Sequence, residues 1–104
     1  MAKKNHFYGD KKVSAKHSTT TDSAVPVINS LQKIPNIKKI RLGIIRSNRS
    51  RERWIKISSI QGGIKIVVHG STSLQEIFVY TDSSVKELSG SISEALKEKF
   101  VIKI

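Results

Sequence analysis

Four arginines, Arg46, Arg49, Arg51 and Arg53, fall within eight residues, and Glu52 is the single acid among them. A guanidinium is planar, always charged, and carries its donors in a fork that matches phosphate oxygens two at a time. Ser47, Asn48 and Ser50 interleave further hydrogen-bonding groups. A solvated turn needs no such density of cations, so the stretch reads as a contact for a polyanion. On either side of it, apolar residues alternate with cationic or aromatic ones: Lys39 and Arg41 before the loop, Trp54 and Lys56 after it, then Lys65 and His69 further on. If these segments are strands, the alternation places Lys39, Arg41, Trp54, Lys56, Lys65 and His69 on one face, with Phe78 and Tyr80 as further candidates. Cations on such a face neutralise phosphates and release counterions, and rings offer unpaired bases a stacking surface. The expected partner is nucleic acid, and RNA before DNA, because open sheet faces of this mixture suit single-stranded RNA. The competing reading is that the lysines only solubilise the face and that Trp54, a usually well-buried residue type, tucks beneath a helix.

A second chemistry rests on His6, His17 and His69 with Asp10, Asp22 and Glu76. The chain has no cysteine, so a thiolate site and a disulfide framework are both excluded. The histidines stand singly, with no His-x-x-x-His spacing, so a divalent-metal site, zinc for example, would have to be assembled by the fold. An isolated histidine is more often a hydrogen-bonding or surface residue. Enzymatic constellations are missing: no paired carboxylates, no nucleophile elbow, no cysteine nucleophile. Gly70-Ser71-Thr72-Ser73 could hold an anion on its amides and hydroxyls, but these are also ordinary turn residues. A binding role is therefore expected rather than catalysis.

The charge is unevenly laid out. The 104 residues carry a net +11. Residues 33–65 hold ten Lys or Arg against one Glu, whereas residues 66–104 hold four Lys against five acids. Such segregation favours a directed anionic partner over a uniformly solubilised surface. No apolar run approaches the length of a membrane span, and no apolar segment follows the first charges as in a signal peptide. With no cysteine present, a cytoplasmic location is expected.

The elements that must position these residues are legible from periodicity. Residues 1–21 are polar, basic and aperiodic, interrupted by Phe7-Tyr8, and read as a basic arm that those two rings could anchor. Residues 22–104 read as one α+β domain. Ala24, Val27, Ile28, Leu31 and Ile34 form a helical stripe, capped by Asp22 or Ser23 and stopped by Pro35. Four strands follow, over about 37–46, 53–60, 64–69 and 74–81. In the first, Ile40, Leu42 and Ile44 are expected on the core face. Gln61-Gly62-Gly63 marks a tight turn. A second helix, capped by Asp82 or Ser83, runs to about Lys99, with Gly90 allowing close packing at its middle. The apolar end, Phe100 to Ile104, should pack or pair. The expected architecture is a two-layer sandwich: a four-stranded antiparallel meander with both helices on one face. An exposed strand edge could pair with a second copy to give a homodimer.

Two blocks carry a resemblance. Lys16-His17-Ser18-Thr19 ahead of a helix, and Gly70-Ser71-Thr72-Ser73-Leu74-Gln75-Glu76-Ile77-Phe78-Val79, resemble a small prokaryotic family of predicted metal-binding proteins. Gly43-Ile44-Ile45-Arg46 resembles that family's Gly-x-Ile-x-Arg pattern, with the arginine one position earlier. The likeness spans about residues 16–82 and implies His17 and Glu76, with His69, as metal candidates. The helix–strands–helix order also looks like a double-stranded RNA-binding domain. Ser83-Ser84-Val85-Lys86-Glu87 departs from it, having one lysine beside an acid where that domain has a lysine cluster.

Overall fold

The structure is a computed structural model that describes residues 13–14 and 20–103. Most of the basic arm, including Phe7-Tyr8, His6, Asp10 and His17, lies outside the described residues. Two helices, α1 (Val25–Gln32) and α2 (Val85–Leu96), accompany six strands: β1 (Val13–Ser14), β2 (Ile37–Ser47), β3 (Trp54–Ile60), β4 (Gly63–His69), β5 (Ser73–Thr81) and β6 (Val101–Lys103). The class is α+β, as the periodicities require. The strands form one sheet in the order β1-β2-β5-β4-β3-β6. The inner four are antiparallel, and the short edge strands β1 and β6 run parallel to β2 and β3.

The expected meander holds for β3-β4-β5 but not for β2. Ile37–Ser47 pairs with β5 rather than with Trp54–Ile60, so the basic stretch 37–60 is not a hairpin. Its two strands lie on opposite sides of the β4-β5 pair, and residues 48–53 cross the end of that pair. The physical reason is hydrogen-bond completion. β5 is apolar at alternate positions and needs a neighbour on both sides, and β2 supplies the second ladder.

Cross-strand register sorts the sheet into two faces. On the helix side, Ile40, Val79 and Ile64 form one row and Leu42, Ile77, Ile66 and Ile57 the next. All of these are buried, in one cluster with Val27, Ile28 and Leu31 of α1 and Leu88, Ile92 and Leu96 of α2. Every strand residue of the cluster belongs to that face, so both helices cover it. Each fully buried Ile or Leu contributes roughly 1.5–3 kcal/mol. A third row holds the buried polar Gln75, whose Oε1 accepts from the Thr21 amide (3.0 Å) and hydroxyl (3.2 Å). It thereby fixes the chain entering α1. The C-terminal Val101–Lys103 does pair, on β3.

Several local expectations are corrected. β2 carries a bulge between Leu42 and Ile45, so Ile44 leaves the core face and is exposed (47%). Gly43 sits at the bulge because a Cβ there would lie 2.8 Å from Phe78 Cε2 and 3.0 Å from Glu76 Cβ. Neither Asp22 nor Ser23 caps α1. Ala24 is its N-cap, without a side-chain bond, and the Ala24 amide turns back to Thr21. For α2 the cap is Ser84, which accepts from the Glu87 amide; Ser84-x-x-Glu87 is the spacing of a capping box. The helix stops at Leu96. Gly90 is exposed, and beyond its immediate neighbours and the backbone of its own helix no atom lies within 4 Å of where its Cβ would be, so it mediates no close packing.

Candidate functional site

The face opposite the helices has its own rows. Lys39 pairs with Tyr80, and Tyr80 with Gly63. Next come Arg41, Phe78, Lys65 and Ser58. Glu76, Val67, Lys56 and Lys103 make the third row, and Arg46, Leu74, His69, Trp54 and Val101 the fourth. The structure therefore brings Lys39, Arg41, Arg46, Trp54, Lys56 and Lys65 together on one surface, with His69, Phe78 and Tyr80 among them. Trp54 lies outside the core. It is half-buried, flanked by His69 from β4 (ring centroids 4.6 Å apart) and by Lys103 Nζ from β6, 4.6 Å from its ring.

Four of the cations here, Arg41, Lys65, Arg53 and Lys103, are held by neighbours. Arg41 Cζ lies 4.2 Å from the Phe78 centroid, and its Nη2 donates to Tyr80 Oη at 3.4 Å. Lys65 Nζ is 4.0 Å from Glu76 Oε2. Arg53 Cζ sits 5.1 Å from the Phe100 ring. Lys39, Lys56, Arg46, Arg49 and Arg51 are exposed, and none of them pairs with a carboxylate among the described residues. Lys103 escaped the sequence reading. The apolar end from Phe100 to Ile104 was expected to pack or pair, but nothing local says that it joins β3 beside Trp54.

The arginine loop takes its shape from the crossover. β2 and β3 stand three strand spacings apart, about 14 Å, a gap that residues 48–53 span with length to spare as they cross the end of the β4-β5 pair, bending at 51–52. The Asn48 amide donates to the Thr72 carbonyl (3.0 Å) and the Ser50 amide to that of Ser71 (3.2 Å). The Gly70–Ser73 turn, closed by the Gly70 amide on the Ser73 carbonyl at 2.8 Å, thus serves as a rail for the loop. Ser50 Oγ donates to the Glu52 carbonyl (2.6 Å) and accepts from the Glu52 amide (3.2 Å), fixing the bend into β3. Arg46, Arg49, Arg51 and Arg53 are left exposed along one end of the sheet. Beside these cations the only acids among the described residues are Glu52 and Glu76.

Two metal candidates, His69 and Glu76, share this face on neighbouring strands but in different rows. His69 is buried, and its Nδ1 donates to the Gly70 carbonyl at 3.1 Å. In the neutral ring that bond puts the proton on Nδ1, and Nε2 is then the nitrogen open to a metal. Glu76 faces Lys65. No group of three His, Asp or Glu positioned for a metal ion occurs among the described residues, and His17 lies outside them.

Comparison with known families matches residues 9–98 to the family described as predicted metal-binding protein (DUF2103). The chain belongs to that family. No curated protein and no solved structure matches it. The described residues by themselves do not fit a resident metal: one imidazole nitrogen and one lysine-paired carboxylate fall short of the three or four protein ligands a zinc site takes. No helix among the described residues is long and apolar enough to cross a membrane.

Proposed function

We propose that this protein binds nucleic acid, with RNA the first candidate, through the outer sheet face and the arginine loop. The observation that carries the reading is the register that gathers Lys39, Arg41, Arg46, Lys56, Lys65 and Lys103 on one face and lays Arg49, Arg51 and Arg53 along its end. Among the described residues only Glu52 and Glu76 oppose them. A surface so unbalanced in charge draws a polyanion by releasing its counterions. The test is fluorescence anisotropy with a labelled RNA over a series of salt concentrations, for the natural protein and for a variant with Arg46, Arg49, Arg51 and Arg53 replaced by Ser. About six phosphate contacts give a log–log slope near −4 to −5, and loss of four of them leaves about −1 to −2. A flat salt dependence, or unchanged binding by the variant, refutes the proposal.

A second reading follows from the family and from the hydrogen bond that His69 Nδ1 makes. In it, His69 Nε2 and Glu76 supply two ligands to a divalent cation such as zinc, and further donors, His17 among them, come from outside the described residues. Elemental analysis of protein purified without chelators decides it. Stoichiometric metal that is lost in His69→Ala supports it, and its absence from the natural protein counts against it.

A further inference from the structure

The rings of the outer face are covered by cations of the same chain. Arg41 lies on Phe78 and bonds Tyr80, and Lys103 lies on Trp54. Phe78, Tyr80 and Trp54 are all only partly accessible. A stacking platform needs a bare ring, because a base must lay its own π-face against it. On this face a base reaching Phe78 or Trp54 would first have to push away a cation, and with it a phosphate contact. Stacking gained and charge lost then oppose each other. A cation resting on a ring keeps its N–H groups free to meet an oxygen. It also surrenders less side-chain freedom on binding than a cation loose in solvent. The rings thus hold charges in place ahead of the ligand.

Resting on the nucleic-acid reading above, we infer that this face grips the phosphodiester backbone and is indifferent to the bases, with Phe78 and Trp54 acting as positioning residues for Arg41 and Lys103. The partner class is any flexible phosphodiester strand, whatever its sequence. Sequence selection, where the protein has it, does not come from this surface.

The experiment compares three labelled strands of equal length, about 12 units: oligouridine, oligothymidine, and an abasic sugar–phosphate oligomer. The first two carry bases and the third carries only the backbone. Affinities within about threefold of one another are expected, together with no more quenching of Trp54 emission by the base-bearing strands than by the abasic one. An abasic strand bound more than tenfold more weakly, oligouridine bound alone, or quenching confined to strands with bases overturns the inference while leaving nucleic-acid binding intact. Binding of none of the three strands removes both. The positioning role is read separately on the abasic strand. Phe78→Leu weakens binding about two- to fivefold, the range a cation–π contact commands. Phe78→Tyr restores it, and Phe78→Leu has no further effect in an Arg41→Gln background. Equal losses from Phe78→Leu with and without Arg41 would show that the ring acts on something other than the arginine.

Discussion

Glu76→Gln separates the two functional readings with one atom changed. Glu76 is one of two acids beside the cationic surface among the described residues, and its carboxylate faces Lys65 at 4.0 Å with both side chains partly exposed (25% and 34%). Such a pair contributes about 0–1 kcal/mol to stability, so the variant stays folded. Its effect on a bound backbone is larger. A phosphate seated over Lys65 lies about 6 Å from the carboxylate, and two like charges at about 6 Å repel by about 0.7 kcal/mol at water's permittivity and about 2.8 kcal/mol at an effective value of 20. Screening at physiological salt, with a Debye length of about 8 Å, roughly halves both figures. Removing the charge should therefore tighten nucleic-acid binding about two- to tenfold and make the salt slope steeper by about 0.7–0.9, as Lys65 becomes a full contact. Anisotropy titrations at several salt concentrations measure both quantities. An unchanged or weaker affinity would show that the backbone does not pass over this face. Loss of stoichiometric metal from Glu76→Gln, with no gain in nucleic-acid affinity, would favour the metal reading.

Two further predictions concern the frame. Gly90→Ala fills empty space on an exposed stretch of α2 and should raise stability by about 0.5–1 kcal/mol, seen as a melting temperature several degrees higher. Gly63→Ala should do the opposite. Its Cβ would run into the Val79 carbonyl group, 2.9 Å from the carbon, with Tyr80 Cα at 3.0 Å. The β4-β5 ladder would have to open, at a cost of about 2–4 kcal/mol, read in the midpoint of a urea titration; a change under about 0.5 kcal/mol would show that the ladder relaxes freely.

What the sequence disclosed and what it hid divide along the range of the interactions. Helical stripes, strand alternation and the Gly62 turn, where φ is 85°, are set by neighbours a few residues apart, and they were legible. So was the sorting of Ile55, Ile57, Ile64, Ile66 and Val68 to one face and Trp54, Lys56 and Lys65 to the other. Partner choice was not legible. β2 and β3 both alternate and are joined by a short polar loop, which locally resembles a hairpin; only the unmet ladder of β5 decides otherwise. The bulge at Gly43 escaped for a similar reason, since it depends on Phe78 and Glu76, more than thirty residues away. The caps were misplaced by one or two positions because Asp22, Ser23, Asp82, Ser83 and Ser84 are all competent cap residues. Packing of the first turn, not propensity, selects among them.

The pairing of β2 with β5 also makes the outer face what it is. Along that face β5 contributes Leu74, Glu76, Phe78 and Tyr80 and no cation, whereas β2, β4, β3 and β6 each contribute at least one. In a simple meander, β5 would stand next to β4 alone among the long strands, and its rings would have cations on one side only. Placed between β2 and β4, it sets Phe78 between Arg41 and Lys65 and Tyr80 beside Lys39. The same exchange carries residues 48–53 across the sheet end. In a tight hairpin, arginines at 49 and 51 would splay at a tip; here the segment that carries them is tied through the Asn48 and Ser50 amides to the Thr72 and Ser71 carbonyls. One change of strand order therefore both seats Arg41 on a ring and spreads the arginines across the sheet end, and an extended polyanion needs both.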